Sequence, residues 1–233
     1  MFTPLQMTRY TLTDGVHTVV FKTIIHIYYS SFYKIVEADA KDHVDAGYTF
    51  LYEGIRVTQK EVDENKTSVP DYTFISKAFG LTGQGNGDYF KIVNQLGGLD
   101  ADVDNTWLNE DLKMHGIDTK EDLKIAPKDI EQLKAIMENY HKIIEIVGPP
   151  LVRFGSRIGL LLERVNDYRG THSATMQVIL VDRNTVLLRC IKNTKNDKIY
   201  INYGGAHFAN LFEQMKADNS AWHIIETKNF KAF

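Results

Sequence analysis

Three residues of chemically useful type stand at the ends of apolar segments: His26 after VHTVVFKTII, Glu53 after YTFLY, and His207 within INYGGAHF. Two imidazoles and a carboxylate form a donor set suited to zinc, manganese or cobalt, with coordination positions left for water and substrate. A further pair, Arg183-Asn184, lies in MQVILVDRNTVLLRCI, where Met176, Ile179, Leu180, Leu187, Cys190 and Ile191 recur at helical spacing and put Arg183 on the apolar face. A guanidinium on such a face needs a carboxylate partner or a cavity, because burying an unpaired charge costs several kcal/mol. It can orient a ligating carboxylate or stabilise an oxyanion. The competing reading of this segment is a strand followed by an exposed Asp182-Arg-Asn184 turn. For each histidine alone, a hydrogen-bonded structural role competes with ligation.

The elements that must position these groups follow from hydropathy and turn residues. Val16 to Ile27 is β-branched and reads as a buried strand; Ser30 or Ser31 offers an N-cap, and Phe32, Ile35, Val36, Ala40, His43 and Val44 trace a helix that Gly47 stops. Tyr48 to Ile55 reads as the next strand, so this region predicts a βαβ unit with parallel strands. The plan recurs late in the chain: Lys198 to Tyr203 as strand, Gly204-Gly205 as turn, Phe208, Leu211, Phe212 and Met215 as the stripe of a helix, and Trp222 to Ile225 as strand ending at Glu226. His26 and His207 therefore occupy equivalent places, each between a strand and the helix after it. In parallel sheets this is the edge where ligands bind, since loops and helix N-termini converge there.

The segment between the two halves differs. Residues 61–170 predict a helical insertion or cap, with a long amphipathic helix from Pro127 to Ile144, a stop at Gly148-Pro149-Pro150 and another helix over Leu151 to Val165. The expected fold is α/β: one split domain over residues 1–233, with a central, mainly parallel sheet built from two βαβ-type halves and the helical insertion between them.

Composition narrows the function classes. The 233 residues are 43% hydrophobic and 24% charged with a formal net charge of −3, an ordinary globular balance that offers no general attraction for nucleic acid or an anionic membrane. Cys190 is the single cysteine, which excludes an internal disulfide and a cysteine-built zinc site and suits a reducing compartment. Met1 to Gly15 lacks the pattern of a secretory leader and the chain reads as cytoplasmic, where the Asn65-Lys66-Thr67 sequon carries no meaning. Other candidates favour plain roles. Gly83-Gln-Gly-Asn-Gly87 lacks the lysine and hydroxyl of a phosphate loop; Asp100, Asp102 and Asp104 are out of register with a calcium loop and read as a solvated acidic turn; Asp42, His43 and Asp45 read as water-facing; His172-Ser173 lacks a nucleophile elbow.

The motifs together resemble the TraB/TIKI-like superfamily, with its erythromycin-esterase-like and ChaN-like relatives. The resemblance rests on Glu53-Gly54-Ile55, Arg183-Asn184, Gly204-Gly-Ala-His207 and the Ala101-Asp102-Val103 segment, and covers about 95 residues, Val16 to Val57 and Met176 to Ile225. Thr23 departs from it, standing in Thr23-Ile24-Ile25-His26 where the family has glycine. The resemblance implies hydrolysis of a peptide or ester bond by a divalent ion (zinc, manganese or cobalt) held between His26 and His207, with Glu53 as third ligand or general base. Arg183, Asn184 and Tyr203 would hold Glu53 or stabilise the oxyanion, and Tyr28, Tyr29, Gly204 and Gly205 would meet a small-molecule or peptide substrate. In the esterase-like branch a histidine would act on water without metal. In a ChaN-like alternative the scaffold would bind haem without catalysis, with Tyr28, Tyr29 and Tyr33 supplying contacts, against the simpler reading that Phe32 and Tyr33 pack the first helix. In a third alternative the scaffold persists with a degraded site.

Overall fold

In the computed structural model of the chain, residues 6–24, 27–28, 30–54, 82–83, 88–117 and 177–231 are described. The helices expected over Pro127 to Ile144 and Leu151 to Val165, together with His26, Tyr29, the sequon, His172 and Ser173, lie outside the described residues.

The central sheet has six strands in the order β6-β4-β7-β2-β1-β8, formed by β1 (Gln6–Thr13), β2 (Thr18–Ile24), β4 (Thr49–Tyr52), β6 (Leu99–Asp100), β7 (Lys198–Gly204) and β8 (His223–Lys231). The pairs β2–β7, β4–β7 and β4–β6 are parallel, and only β1 runs against its neighbours, antiparallel to both β2 and β8. The α/β class and the mainly parallel sheet are as the hydropathy predicted. Strand β1 has no counterpart in the sequence reading. It joins β2 through a turn in which Asp14 accepts from the backbone N–H groups of Val16 and His17. Glu226 lies in the middle of β8 beside Arg9, not at a strand end as the sequence suggested.

Helices cover both faces, and strand alternation decides which side chains go where. On one face Val20, Ile24, Phe50 and Tyr200 pack against Phe32, Tyr33, Val36 and Ala40 of α1 (Ser30–Asp45) and Tyr89 and Val93 of α2 (Asp88–Gln95). Phe32 and Tyr33 thus belong to the core, the packing role preferred from sequence. On the other face Val19, Phe21, Leu51, Ile199, Ile201 and Tyr203 meet Leu187 and Ile191 of α4 (Arg183–Asn193) and Leu211 and Met215 of α5 (His207–Asp218). Gly47 ends α1 with φ of 84°, a conformation that costs glycine little and other residues more.

Within the span 61–170, α2 leads into β6, which pairs with β4, so this part of the span extends the main sheet; α3 (Asn105–Met114) follows, capped by Asp104 accepting from the Trp107 N–H at 2.8 Å. Expected to face water, His43 instead is half-buried and stacks on Tyr200 with ring centroids 4.4 Å apart. The separate pair of β3 (Ile27–Tyr28) and β5 (Thr82–Gly83) is antiparallel.

One residue of the central strands breaks the apolar pattern. Lys22 is fully buried, its Nζ lies 3.1 Å from the centre of the Phe230 ring, and no described residue accepts a hydrogen bond from it. Burial, only partly offset by Asp39, lowers its pKa from 10.5 to about 8. Between pH 8 and 10.5 the unfolded chain therefore holds the proton more tightly, so this group favours the folded state increasingly as pH rises through that window and opposes it most below pH 8. Lys22→Met should raise stability by about 2 kcal/mol at pH 7 and by progressively less towards pH 10.5. Urea denaturation at several pH values checks this, and a gain independent of pH would show that the charge is not its origin.

Candidate functional site

The carboxyl ends of β4, β6 and β7 lie side by side and deliver polar residues to one place. Glu53 follows β4, where its N–H continues the ladder to the Asn202 carbonyl at 3.0 Å; Asp102 follows β6, where the Ala101 N–H donates to the Tyr52 carbonyl. His207 opens α5, separated from the Gly204 end of β7 only by the two-residue Gly205-Ala206 turn. Arg183 and Asn184 come from the facing helix. The apolar run predicted to be helical is so, but begins as a π-type turn over Gln177–Asp182 before α4 starts at Arg183.

These side chains form one buried network. Glu53, Asp102, Arg183 and His207 are each at most 5% exposed, and Asn184 is completely buried. Arg183 Nε and Nη2 donate to Asp102 Oδ1 at 3.0 Å and Oδ2 at 2.5 Å, and Nη2 also donates to Glu53 Oε1 at 2.8 Å. Burial works against the charge on Arg183, but the carboxylates of Asp102 and Glu53 outweigh it and hold the guanidinium pKa above its ordinary value. The other Glu53 oxygen, Oε2, accepts from the Gly204 N–H at 2.5 Å. A Cβ on residue 204 would meet that same oxygen at 3.0 Å, so a side chain there would press on the carboxylate and glycine leaves it in place. Gly204, expected to meet substrate, is thus in contact with Glu53.

Asn184 sets the orientation of His207. Its Nδ2 donates to the His207 carbonyl and to Asn210 Oδ1, both at 3.0 Å. Its Oδ1 is then the atom that faces His207 Nδ1 at 2.8 Å, which assigns the proton to Nδ1. Nε2 is left on the far side of the ring, 3.6 Å from Glu53 Oε1. Tyr203 sets its ring edge-on to the imidazole with centroids 4.8 Å apart. Burial, and then the facing Asp102 carboxylate, raise its pKa well above the ordinary value, so it remains a neutral phenol.

Glu53, Arg183, Asn184, Tyr203 and His207 are therefore gathered at one point. His26 and Tyr29 lie outside the described residues, and Tyr28 belongs to the small β3–β5 sheet. Asp102 corrects the sequence reading: it is 1% exposed and ion-paired, not part of a solvated acidic turn. Its only signal was its place in the Ala-Asp segment. Thr23, the departure from the family pattern, bonds β2 to β1 through Oγ1, which donates to the Thr8 carbonyl at 2.9 Å and accepts from the Thr8 N–H at 3.0 Å. Gly205 on the facing turn lies against it: a Cβ there would make van der Waals contact with Thr23 Cβ at 3.4 Å.

A second cluster was not anticipated. Asp111 on α3, His115 just after it and Asp182 just before α4 present ligand atoms within 4.8 Å of one another, and this Asp/His/Asp group is capable of coordinating a metal ion. Burial and the Asp182 carboxylate raise the Asp111 pKa, with His115 acting in the opposite sense. The spacing of Asp111 and His115 puts both on one helical face and is visible in the sequence. Asp182 joins them only through the fold.

Among the described residues no helix is long and apolar enough to cross a membrane. Comparison with protein-family models, curated proteins and solved structures finds no match.

Proposed function

We propose that the chain is a metal-dependent hydrolase of the TraB/TIKI-like type, acting on a peptide or ester bond of a small-molecule or peptide substrate. One observation carries this reading: the Asn184-oriented Nε2 of His207 and the Oε1 of Glu53 converge to 3.6 Å at the carboxyl edge of parallel strands. An imidazole with its other nitrogen tied by a hydrogen bond, facing an anchored carboxylate, has the donor chemistry of a zinc, manganese or cobalt site. His207 and Glu53 would hold the ion, with His26 as the further ligand expected from sequence. Such an ion, when bound, acidifies water and polarises a carbonyl.

The chain's own residues do the rest. Gly204 N–H and Arg183 hold the two oxygens of Glu53 in place, Asp102 aligns Arg183 by a two-point contact, and Asn184 keeps the His207 ring from rotating. The guanidinium is the cation positioned to offset negative charge developing nearby. A metal-independent reading is favoured by the same atom: Nε2 of His207 could take a proton from water directly, with Glu53 stabilising the resulting imidazolium.

Hydrolysis of p-nitrophenyl esters and a fluorogenic peptide set, measured after chelation and after return of Zn2+, Mn2+ or Co2+, tests the proposal. Activity should return with one of these ions and fall at least about 100-fold in His207→Ala, the scale expected on losing a ligand or base. Activity that survives chelation but not His207→Ala selects the metal-free reading. Turnover unaffected by His207→Ala would remove the site from the chemistry.

A further inference from the structure

We propose that Asp111, His115 and Asp182 form a second divalent-metal site that clamps α3 to the start of α4, distinct from the site at Glu53 and His207. Three features of the geometry support this. His115 Nδ1 lies 3.0 Å from the Asp111 carbonyl oxygen, which can only accept, so Nδ1 carries the proton and a neutral ring offers its lone pair at Nε2. That nitrogen faces Asp182 Oδ2 at 3.7 Å. A lone pair opposed to a carboxylate oxygen is repulsive unless a cation lies between them, and a backbone carbonyl fixing the remote nitrogen is the usual setting of a ligating histidine.

The second feature is an unmet demand. Asp111 is only 7% exposed, yet its Oδ2, like Oδ2 of Asp182, is buried and accepts a hydrogen bond from no described residue. Of the other two oxygens, Asp182 Oδ1 accepts from Gln177 Nε2 at 3.0 Å and Asp111 Oδ1 lies 3.8 Å from His115 Nδ1. The two buried carboxylate oxygens thus belong to residues that, with His115, bring ligand atoms within 4.8 Å of one another, where a positive charge would satisfy them.

The donor set selects the ion. One nitrogen and two carboxylates suit a transition-metal ion such as Zn2+ better than Ca2+ or Mg2+, which prefer all-oxygen shells. The His115 side chain is 33% exposed, so the ion has a route in from solvent and room for water to complete its shell. The third feature is what the clamp would hold. Asp182 immediately precedes Arg183, and α3 begins just after Asp102, so the ion would tie together the two elements that carry the Arg183–Asp102 pair.

Elemental analysis of the purified chain after equilibrium dialysis against Zn2+ tests this, with Co2+ absorption as a spectroscopic check. The clamp predicts an equivalent of Zn2+ per chain that is lost in His115→Ala and in Asp182→Asn but retained in His207→Ala. It also predicts that saturating Zn2+ raises the Tm of His207→Ala by about 5 °C but not that of the double variant His207→Ala, Asp182→Asn, in which the nearly isosteric asparagine guards against loss of fold. Zn2+ lost only in His207→Ala would overturn the clamp and leave the hydrolase reading intact. Zn2+ lost only in the His115 and Asp182 variants would do the reverse for the metal at His207. A chain that takes up no Zn2+ would overturn the clamp and mean that a proton shared by the two carboxylates, or a charged His115, balances the cluster.

Discussion

Arg183→Met should destabilise the fold by about 3–5 kcal/mol, the cost of leaving buried charges without their partner. The guanidinium lies between two carboxylates, 2.8 Å from Glu53 and 2.5 Å from Asp102, in surroundings where all three groups are almost fully buried. Methionine fills much of the same volume, so the loss would come from electrostatics and not from a cavity. With the cation gone, Glu53 and Asp102 repel across a region of low dielectric and must take up protons or drag in water. The triple replacement Arg183→Met, Asp102→Asn and Glu53→Gln should recover most of the lost stability while abolishing any chemistry that needs the Glu53 carboxylate. Urea denaturation at constant pH provides the measurement. A penalty for Arg183→Met below about 1 kcal/mol would mean that the network contributes little beyond a surface ion pair.

Asn184→Leu should separate orientation from ligation. The substitution puts an apolar side chain of similar reach on α4 and removes the acceptor for His207 Nδ1 and the donor to the His207 carbonyl and Asn210. The buried His207 Nδ1–H loses this acceptor, costing about 1–3 kcal/mol where water cannot replace it. More telling is the expected fall in affinity for Zn2+ at the His207 site, about 10–100-fold, because a remote hydrogen bond holds both the tautomer and the ring angle. Competition for Zn2+ with a chromophoric chelator measures it. Asn184→Asp retains an acceptor opposite Nδ1 and should keep more of the affinity than leucine does. Equal losses in the two variants would place the effect in packing instead of ring orientation.

Much of this site could be read before any fold was known. Gly204-Gly-Ala-His207 after an apolar run located His207 at a strand-to-helix turn, and the glycine has a physical reason: the 204 N–H donates to the Glu53 carboxylate at 2.5 Å, and a Cβ on 204 would lie only 3.0 Å from the same oxygen. Arg183 stood out because a charge on an apolar helical face has to be paired. Asp102 was missed, because an acidic residue flanked by Asp100 and Asp104 looks like a solvated turn. Only the parallel pairing of β6 with β4 turns it inward. Nor does β1 announce itself, since Met7 faces one side of the sheet and Tyr10 and Leu12 the other, with Thr and Arg residues between them, so no apolar alternation is visible.

The division has a simple physical origin. Periodicity of apolar residues, glycine and capping signals act over a few residues, so the sequence by itself determined that strands and helices alternate and that Glu53 and His207 sit at strand ends, while for Arg183 it offered an inward helical face against an exposed turn. Contacts between elements depend on the order in which strands pair. Arg183 reaches Asp102 across 81 residues, Glu53 reaches Gly204 across 151, and Asp182 meets His115 from a different helix. The tertiary structure alone decided those meetings, because burying both faces of one sheet between helices brings distant strand ends to a common edge, and no local pattern specifies which ends will be neighbours.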